Sequence, residues 1–151
     1  MDTQTIVRWA NAEDAAYLSK MNEEFNECPR LEQDIRDALA AGGELVAVAL
    51  LDGAHAGFAC AQLQRSFCYD RPEAFITELY VREEFRRRGA ATALLLFLER
   101  ELLRRGADHV HLETGEGNAT ARRLYDRCGY RQRKVVALSK NLAQRNSGSL
   151  N

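Results

Sequence analysis

The stretch Glu84-Phe-Arg-Arg-Arg-Gly-Ala-Ala-Thr-Ala-Leu-Leu-Leu-Phe-Leu-Glu-Arg100 decides how the rest of the chain is read. It sets Arg86, Arg87 and Arg88 against Gly89, Ala90 and Ala91, then runs into an apolar helical pattern. A helix start already exposes unpaired N–H groups and carries about half a positive charge, so added cations there are unfavourable unless an anion arrives. Gly89 permits close backbone approach, and the alanines keep the first turn thin, so the N–H groups of residues 87–92 can converge on one anion. A solvated basic turn is the competing reading.

Working outward, the two hydrophobic periods alternate along the chain. A short strand at residues 5–10 precedes a helix that Asn11 is placed to cap, burying Ala15, Leu18 and Met21. A second helix over 31–41 stops at Gly42-Gly43, and two strands flank Asp52-Gly53, a hairpin signal. A strand over Glu73–Val81 leads through the arginines into a helix from about Gly89 to Arg105. Strand 109–114, helix 118–128 with Gly129 as its stop, and strand 130–142 complete the order βααβββαβαβ. This is the pattern of an α/β domain over residues 1–142, a mixed sheet with helices on both faces, followed by a disordered tail at 143–151.

Composition limits the partners. The 151 residues hold Lys+Arg 21 against Asp+Glu 22, a formal charge of -1, so any anion site is local and no general affinity for nucleic acid is expected. The arginine cluster is short and lacks interleaved aromatics, which also counts against RNA. Cys28, Cys60, Cys68 and Cys128 form no C-x-x-C pair, and no apolar signal segment follows the first residues, so the chain reads as cytoplasmic with reduced thiols. The apolar run around Leu94–Leu98 is far short of the roughly 20 residues that span a bilayer, so no membrane association is expected.

Neither G-x-x-x-x-G-K-[ST] nor G-x-G-x-x-G is present, which disfavours a P-loop hydrolase and a dinucleotide dehydrogenase. The motif R-x-x-G-x-A at Arg86, Gly89 and Ala91 instead resembles the acetyl-CoA-binding motif of the GCN5-related N-acetyltransferases. Many members of that family have glycine where Ala91 stands. The strand end Leu79-Tyr80-Val81 and the later segment Asn118–Tyr130 match further family features, and the likeness covers roughly residues 5–140.

The resemblance implies acetyl-CoA as cosubstrate. Its pyrophosphate would lie on Arg86, Arg87, Arg88, Gly89, Ala90, Ala91 and Thr92, and its pantetheine arm along the backbone of Leu79, Tyr80 and Val81. Asn118, which alone reads as a helix N-cap, would also contact the cofactor. Tyr125, alone a packing aromatic, stands in L-Y-x-x-x-G-Y and resembles the family's general acid. A phenol of pKa about 10 can protonate a departing thiolate whose thiol has a pKa near 8.5. Glu113 is the preferred base for the incoming ammonium, with Glu78 the alternative, and either carboxylate also reads as simply solvated.

His109, His111 and Glu113 alternate along one strand and raise a metal reading, which lacks a further imidazole or thiolate nearby; no metal is expected. Cys60 and Cys68 have no His and acid arrangement and read as small packing residues. Glu23, Glu24 and Glu27 make an acidic lip that suits a cationic amine, or are a solvated helix face. The expected activity is direct acetyl transfer to a primary amine of a small molecule or peptide. The alternative is a non-catalytic acyl-CoA-binding module on the same fold, and a homodimer is expected by analogy with the family.

Overall fold

The computed structural model describes residues 3–144, which divide after Asn118 into two compact units. Of the tail expected at 143–151, residues 145–151 lie outside the described residues.

The first unit is built on a five-stranded mixed sheet in the order β1-β2-β3-β4-β5. Its strands are β1 (Thr5–Trp9), β2 (Leu45–Leu51), β3 (Ala54–Gln64), β4 (Glu73–Val81) and β5 (Val110–Leu112). The first four pair antiparallel, and β5 joins β4 parallel. Asp52 and Gly53 both take positive φ, 48° and 84°, as a tight hairpin turn between right-twisted strands requires.

Alternation along the strands sorts side chains onto two faces. On one, Val48 and Phe58 pair across the sheet and join Cys60 in a core with Leu18 and Met21 of α1 (Ala15–Asn26). Ile35 and Leu39 of α2 (Glu32–Ala41) pack at its margin, and Gly42 ends α2 in the left-handed region. The other face is lined by small residues, Ala47 opposite Ala59, beside Trp9. That lets α3 (Ala90–Arg104) lie close, with Leu94, Leu95, Leu98 and Leu102 buried and Phe97 edge-on to Trp9 at 4.9 Å. Helices therefore cover both faces, as the alternation of elements implies.

Asn11 caps a 3-10 turn, Ala12–Asp14, rather than α1 directly: Asn11 accepts from the Glu13 N–H, and Asp14 accepts from the Asn11 N–H. Asp14 is buried and also receives two bonds from Arg8, at 2.7 and 2.8 Å, and lies 2.7 Å from His55 Nε2. This cluster ties β1 and β3 to the start of α1.

The second unit contains α4 (Ala119–Arg127), closed by Gly129 at φ 90°. The Tyr130 N–H reaches Tyr125 O and the Gly129 N–H reaches Asp126 O, a paired bonding that satisfies carbonyls left open at a helix end. The strand expected at 130–142 is not formed: residues 130–141 carry no regular structure, and 131–144 are exposed throughout. A strand is defined by its ladder partner, and its sequence pattern alone cannot supply one.

Candidate functional site

Two adjacent strands part in the middle of the first unit. Parallel pairing of β4 with β5 covers only Ala74–Ile76 against Val110–Leu112. At the next residue β4 bulges: Cys60 faces Glu78 and Ala61 faces Ile76, which leaves Thr77 as the extra residue. The Thr77 hydroxyl donates to Cys60 O at 3.3 Å and holds the bulge against β3. Beyond it, Glu78–Val81 stay paired with β3 alone. Among the described residues no strand lies on their other edge; Tyr80 turns its carbonyl toward β3, so the backbone groups of Leu79 and Val81 line one arm of a fork.

Gly57 explains how close that arm lies to β3. A Cβ at Gly57 would collide with Tyr80 O and meet Val81 Cα at 3.1 Å. The neighbouring Ala56 O accepts from the Arg82 N–H at 2.8 Å, which carries the pairing just past the strand end. Glycine within a strand pattern is the available signal for such an approach, and Gly57 was not among the site residues expected from sequence.

The fork leads through a 3-10 turn, Glu83–Phe85, to the arginines. Arg87 and Gly89 take positive φ, 64° and 82°, and α3 starts at Ala90 with no side chain capping it. Its first backbone bond from this end runs from the Ala93 N–H to Gly89 O at 3.0 Å. The space where a Cβ of Gly89 would project is empty for 4 Å. Uncapped N–H groups, open space and exposed Arg87 and Arg88 together meet the requirements of an anion cradle.

Arg86 departs from the simple picture of three cations around a mouth. Its Nε donates to Val81 O at 2.9 Å, and its guanidinium lies 6.0 Å from the Tyr80 ring centroid, so it also fastens the turn to the end of β4.

Tyr80 projects onto the α1 side of the sheet, where its hydroxyl donates to Glu24 Oε2 at 3.0 Å. Burial pushes the Tyr80 phenol up, and the bond to the Glu24 carboxylate adds to this. Arg82, which no local spacing marks as special, binds the same carboxylate through two nitrogens and also approaches Glu84 at 3.4 Å. Phe25 stacks on Tyr80 with centroids 5.0 Å apart. An open cavity of about 510 Å³ lies here, lined by Glu24, Phe25, Tyr80, Glu83, Glu84 and Arg86. The acidic lip expected on α1 thus contributes Glu24 to a cavity wall.

The two candidate bases occupy different arms of the fork. Glu78 follows the bulge and is half-buried opposite Cys60, whose thiol is pushed up by burial, by Glu44 and by Glu78 itself. Glu113 is exposed one residue past the end of β5. Asn118 immediately precedes α4. In the second unit, Tyr125 is half-buried and edge-on to Tyr130 at 5.8 Å. Burial raises its phenol above the ordinary value, and Cys128 adds to the effect. His111 lies against Phe75, 5.3 Å between ring centroids, and among the described residues no three His, Cys, Asp or Glu side chains converge as a metal site.

A mixed sheet whose parallel strands fork beside an uncapped, glycine-led helix start is the arrangement that the resemblance of Arg86, Gly89 and Ala91 to the family motif implies. A model of the acetyltransferase (GNAT) family matches residues 6–130, and the chain belongs to that family.

Solved structures share the fold. The aminoglycoside N-acetyltransferase AAC(6')-Iy in complex with CoA superposes with a TM-score of 0.81 at 19% identity, covering 94% of this chain and 97% of that one. An aminoglycoside acetyltransferase, meta-AAC0020, from an uncultured soil metagenomic sample gives 0.80 at 17% identity, covering 91% and 96%. The ribosomal-protein-alanine N-acetyltransferase of Brucella melitensis biovar Abortus 2308 gives 0.78 at 16%, covering 91% and 100%. No helix among the described residues is long and apolar enough to cross a membrane.

Proposed function

We propose that the protein is an acetyl-CoA-dependent N-acetyltransferase that acetylates a primary amine of a small molecule or peptide by direct transfer. The observation that carries this reading is the fork between β4 and β5 leading into the uncapped start of α3. A pantetheine arm is a chain of amides, and along the segment Leu79, Tyr80 and Val81 the outward N–H and C=O of Leu79 and the N–H of Val81 offer it strand-like hydrogen bonds. The pyrophosphate then falls to the N–H groups of residues 87–92, with Arg87 and Arg88 adding charge and Arg86 holding the turn in place. Asn118 is assigned a cofactor contact through the family motif.

In the reaction, Glu113 or Glu78 takes the proton from the arriving ammonium. The amine nitrogen then attacks the thioester carbon, giving a tetrahedral intermediate, and a backbone N–H at the fork polarises the carbonyl oxygen. Collapse breaks the C–S bond, Tyr125 gives its proton to the leaving thiolate, and the nitrogen loses its second proton to the resulting phenolate through solvent, which leaves a neutral amide and restores the phenol. No metal is required. The carboxylates of Glu83 and Glu84 and the Phe25 and Tyr80 rings support a cationic acceptor, while Glu24 is held by Arg82 and Tyr80 in the same wall. We place the acetyltransferase domain at residues 1–142 and the protein in the cytoplasm, a location its free cysteines suit.

An acetyl-CoA turnover screen across amine classes, reading free thiol with and without each amine, tests the proposal. Thiol release that depends on a defined amine is the expected result. Tight acetyl-CoA binding with no turnover on any amine would identify a binding module instead.

A further inference from the structure

We propose that Gly57 of β3, which touches no substrate, is a positioning residue for acyl-CoA: the space it leaves lets β3 hold Tyr80 and Val81 where the outward N–H of Val81 meets the pantetheine arm. This rests on the reading of the fork as an acyl-CoA site. Space, not conformation, is what calls for glycine here. The backbone of Gly57 does not take positive φ, so other residues can adopt it. A Cβ at this position would collide with Tyr80 O and stand 3.1 Å from Val81 Cα and 3.2 Å from Val81 Cγ2. These are its three nearest atoms, and none belongs to α3, so the missing side chain serves the contact between β3 and β4 rather than helix packing.

The two strands are not equally free to yield. β3 is paired on its far side with β2, Gly57 lying opposite Ala49, and Ala56 and Phe58 on either side of it are buried. Among the described residues no strand lies beyond Leu79–Val81 of β4, and the Arg82 N–H ties that arm back to Ala56 O at 2.8 Å. A side chain at Gly57 therefore pushes Tyr80 and Val81 outward into the fork, stretches that tie and carries the Val81 N–H out of line for the pantetheine arm. The anion cradle is spared, because it is built on α3, which buried leucines hold in place.

Calorimetry on the full chain with two ligands tests this: acetyl-CoA, and 3′-phospho-ADP, which is CoA without its pantetheine arm. The wild type should bind acetyl-CoA more tightly. Gly57→Ala should weaken acetyl-CoA binding about five- to tenfold, the loss of roughly one hydrogen bond, and leave 3′-phospho-ADP unchanged. Wild-type affinity for acetyl-CoA in folded Gly57→Ala overturns the proposal, as does an equal loss for both ligands, which marks the glycine as structural. A second pair of variants reaches the same arm without adding bulk at Gly57. Arg82 has φ -61° and follows a strand residue, so proline fits there; relative to Arg82→Ala it removes the N–H donated to Ala56 O. Arg82→Pro should show the acetyl-CoA-specific loss that Arg82→Ala lacks, whether or not Gly57→Ala folds, and equal affinities in the two overturn the proposal. A wild type that binds both ligands equally sinks the pantetheine edge and the functional reading together. A preference for acetyl-CoA that survives both Gly57→Ala and Arg82→Pro strikes the role of Gly57 alone.

Discussion

Arg82 grips the Glu24 carboxylate from 58 residues away, through Nε at 3.2 Å and Nη2 at 3.1 Å, while the Tyr80 hydroxyl donates to it at 3.0 Å. This joins the far end of α1 to the turn that carries the arginines. The groups are partly sheltered, with Arg82 18% and Glu24 29% exposed in their side chains, so screening by water is incomplete.

Glu24→Ala leaves a guanidinium and a phenol without their shared acceptor. We expect a loss of about 1 to 2 kcal/mol in stability by urea unfolding, more than a typical surface pair contributes. Arg82→Ala should cost about the same, and the double variant should lose less than the sum of the two. Strict additivity would show that the contact carries no coupling.

The helix start offers a cleaner separation of binding from folding. Gly89 sits at φ 82° with no atom within 4 Å of where a Cβ would stand, so a valine there projects where the anion is proposed to lie. Its backbone strain should cost on the order of 1 to 2 kcal/mol of stability. Acetyl-CoA affinity, measured by calorimetry, should fall at least about tenfold, equivalent to losing roughly one charge-assisted hydrogen bond. Unchanged affinity in folded Gly89→Val would remove this helix start from the site.

Much of this architecture is written locally and can be read from sequence. The Asp52-Gly53 turn, the glycine stop at Gly129 and the span of β4 depend on neighbours a few residues apart. Arg82 and Glu24 carry no such mark, because long side chains on distant elements meet only once the sheet and α1 are assembled. Gly57 announces a close approach without saying to what. Residues 130–142 show the limit most plainly: alternation specifies a strand, but a strand is a relation to a second edge.

The buried cluster at Asp14 makes stability depend on pH. Burial pushes the Asp14 carboxyl up, but bonds from Arg8, His55 and the Asn11 N–H, with the charge of Arg8, outweigh it and hold the carboxyl well below the usual carboxylate range. A folded-state pKa below the unfolded one means stability is present above the unfolded value, about 3.9, and is lost as pH falls below it. Urea midpoints should therefore drop steeply between about pH 4 and pH 2 in the wild type. Asp14→Asn should cost roughly 2 to 4 kcal/mol at neutral pH, since it strands the Arg8 charge, and should flatten that acid limb. An equally steep limb in the variant would assign the acid sensitivity to other carboxylates.

Tyr125→Phe separates chemistry from packing. The ring, its edge-on contact with Tyr130 and the backbone bond to Tyr125 O at the end of α4 are all retained, and only the hydroxyl is lost. If Tyr125 protonates the leaving thiolate, kcat should fall by roughly 10² to 10⁴, with acetyl-CoA affinity nearly unchanged. The raised phenol pKa adds a second signature. The group keeps its proton through neutral pH, so wild-type kcat should hold until pH climbs past the ordinary phenol range and then decline, and the residual activity of the variant should lack that decline. Stopped-flow thiol release under single-turnover conditions keeps product release from masking the step. Wild-type single-turnover rates in the variant across the pH range would show that Tyr125 is not the acid, while joint loss of affinity and thermal stability would mark its hydroxyl as structural.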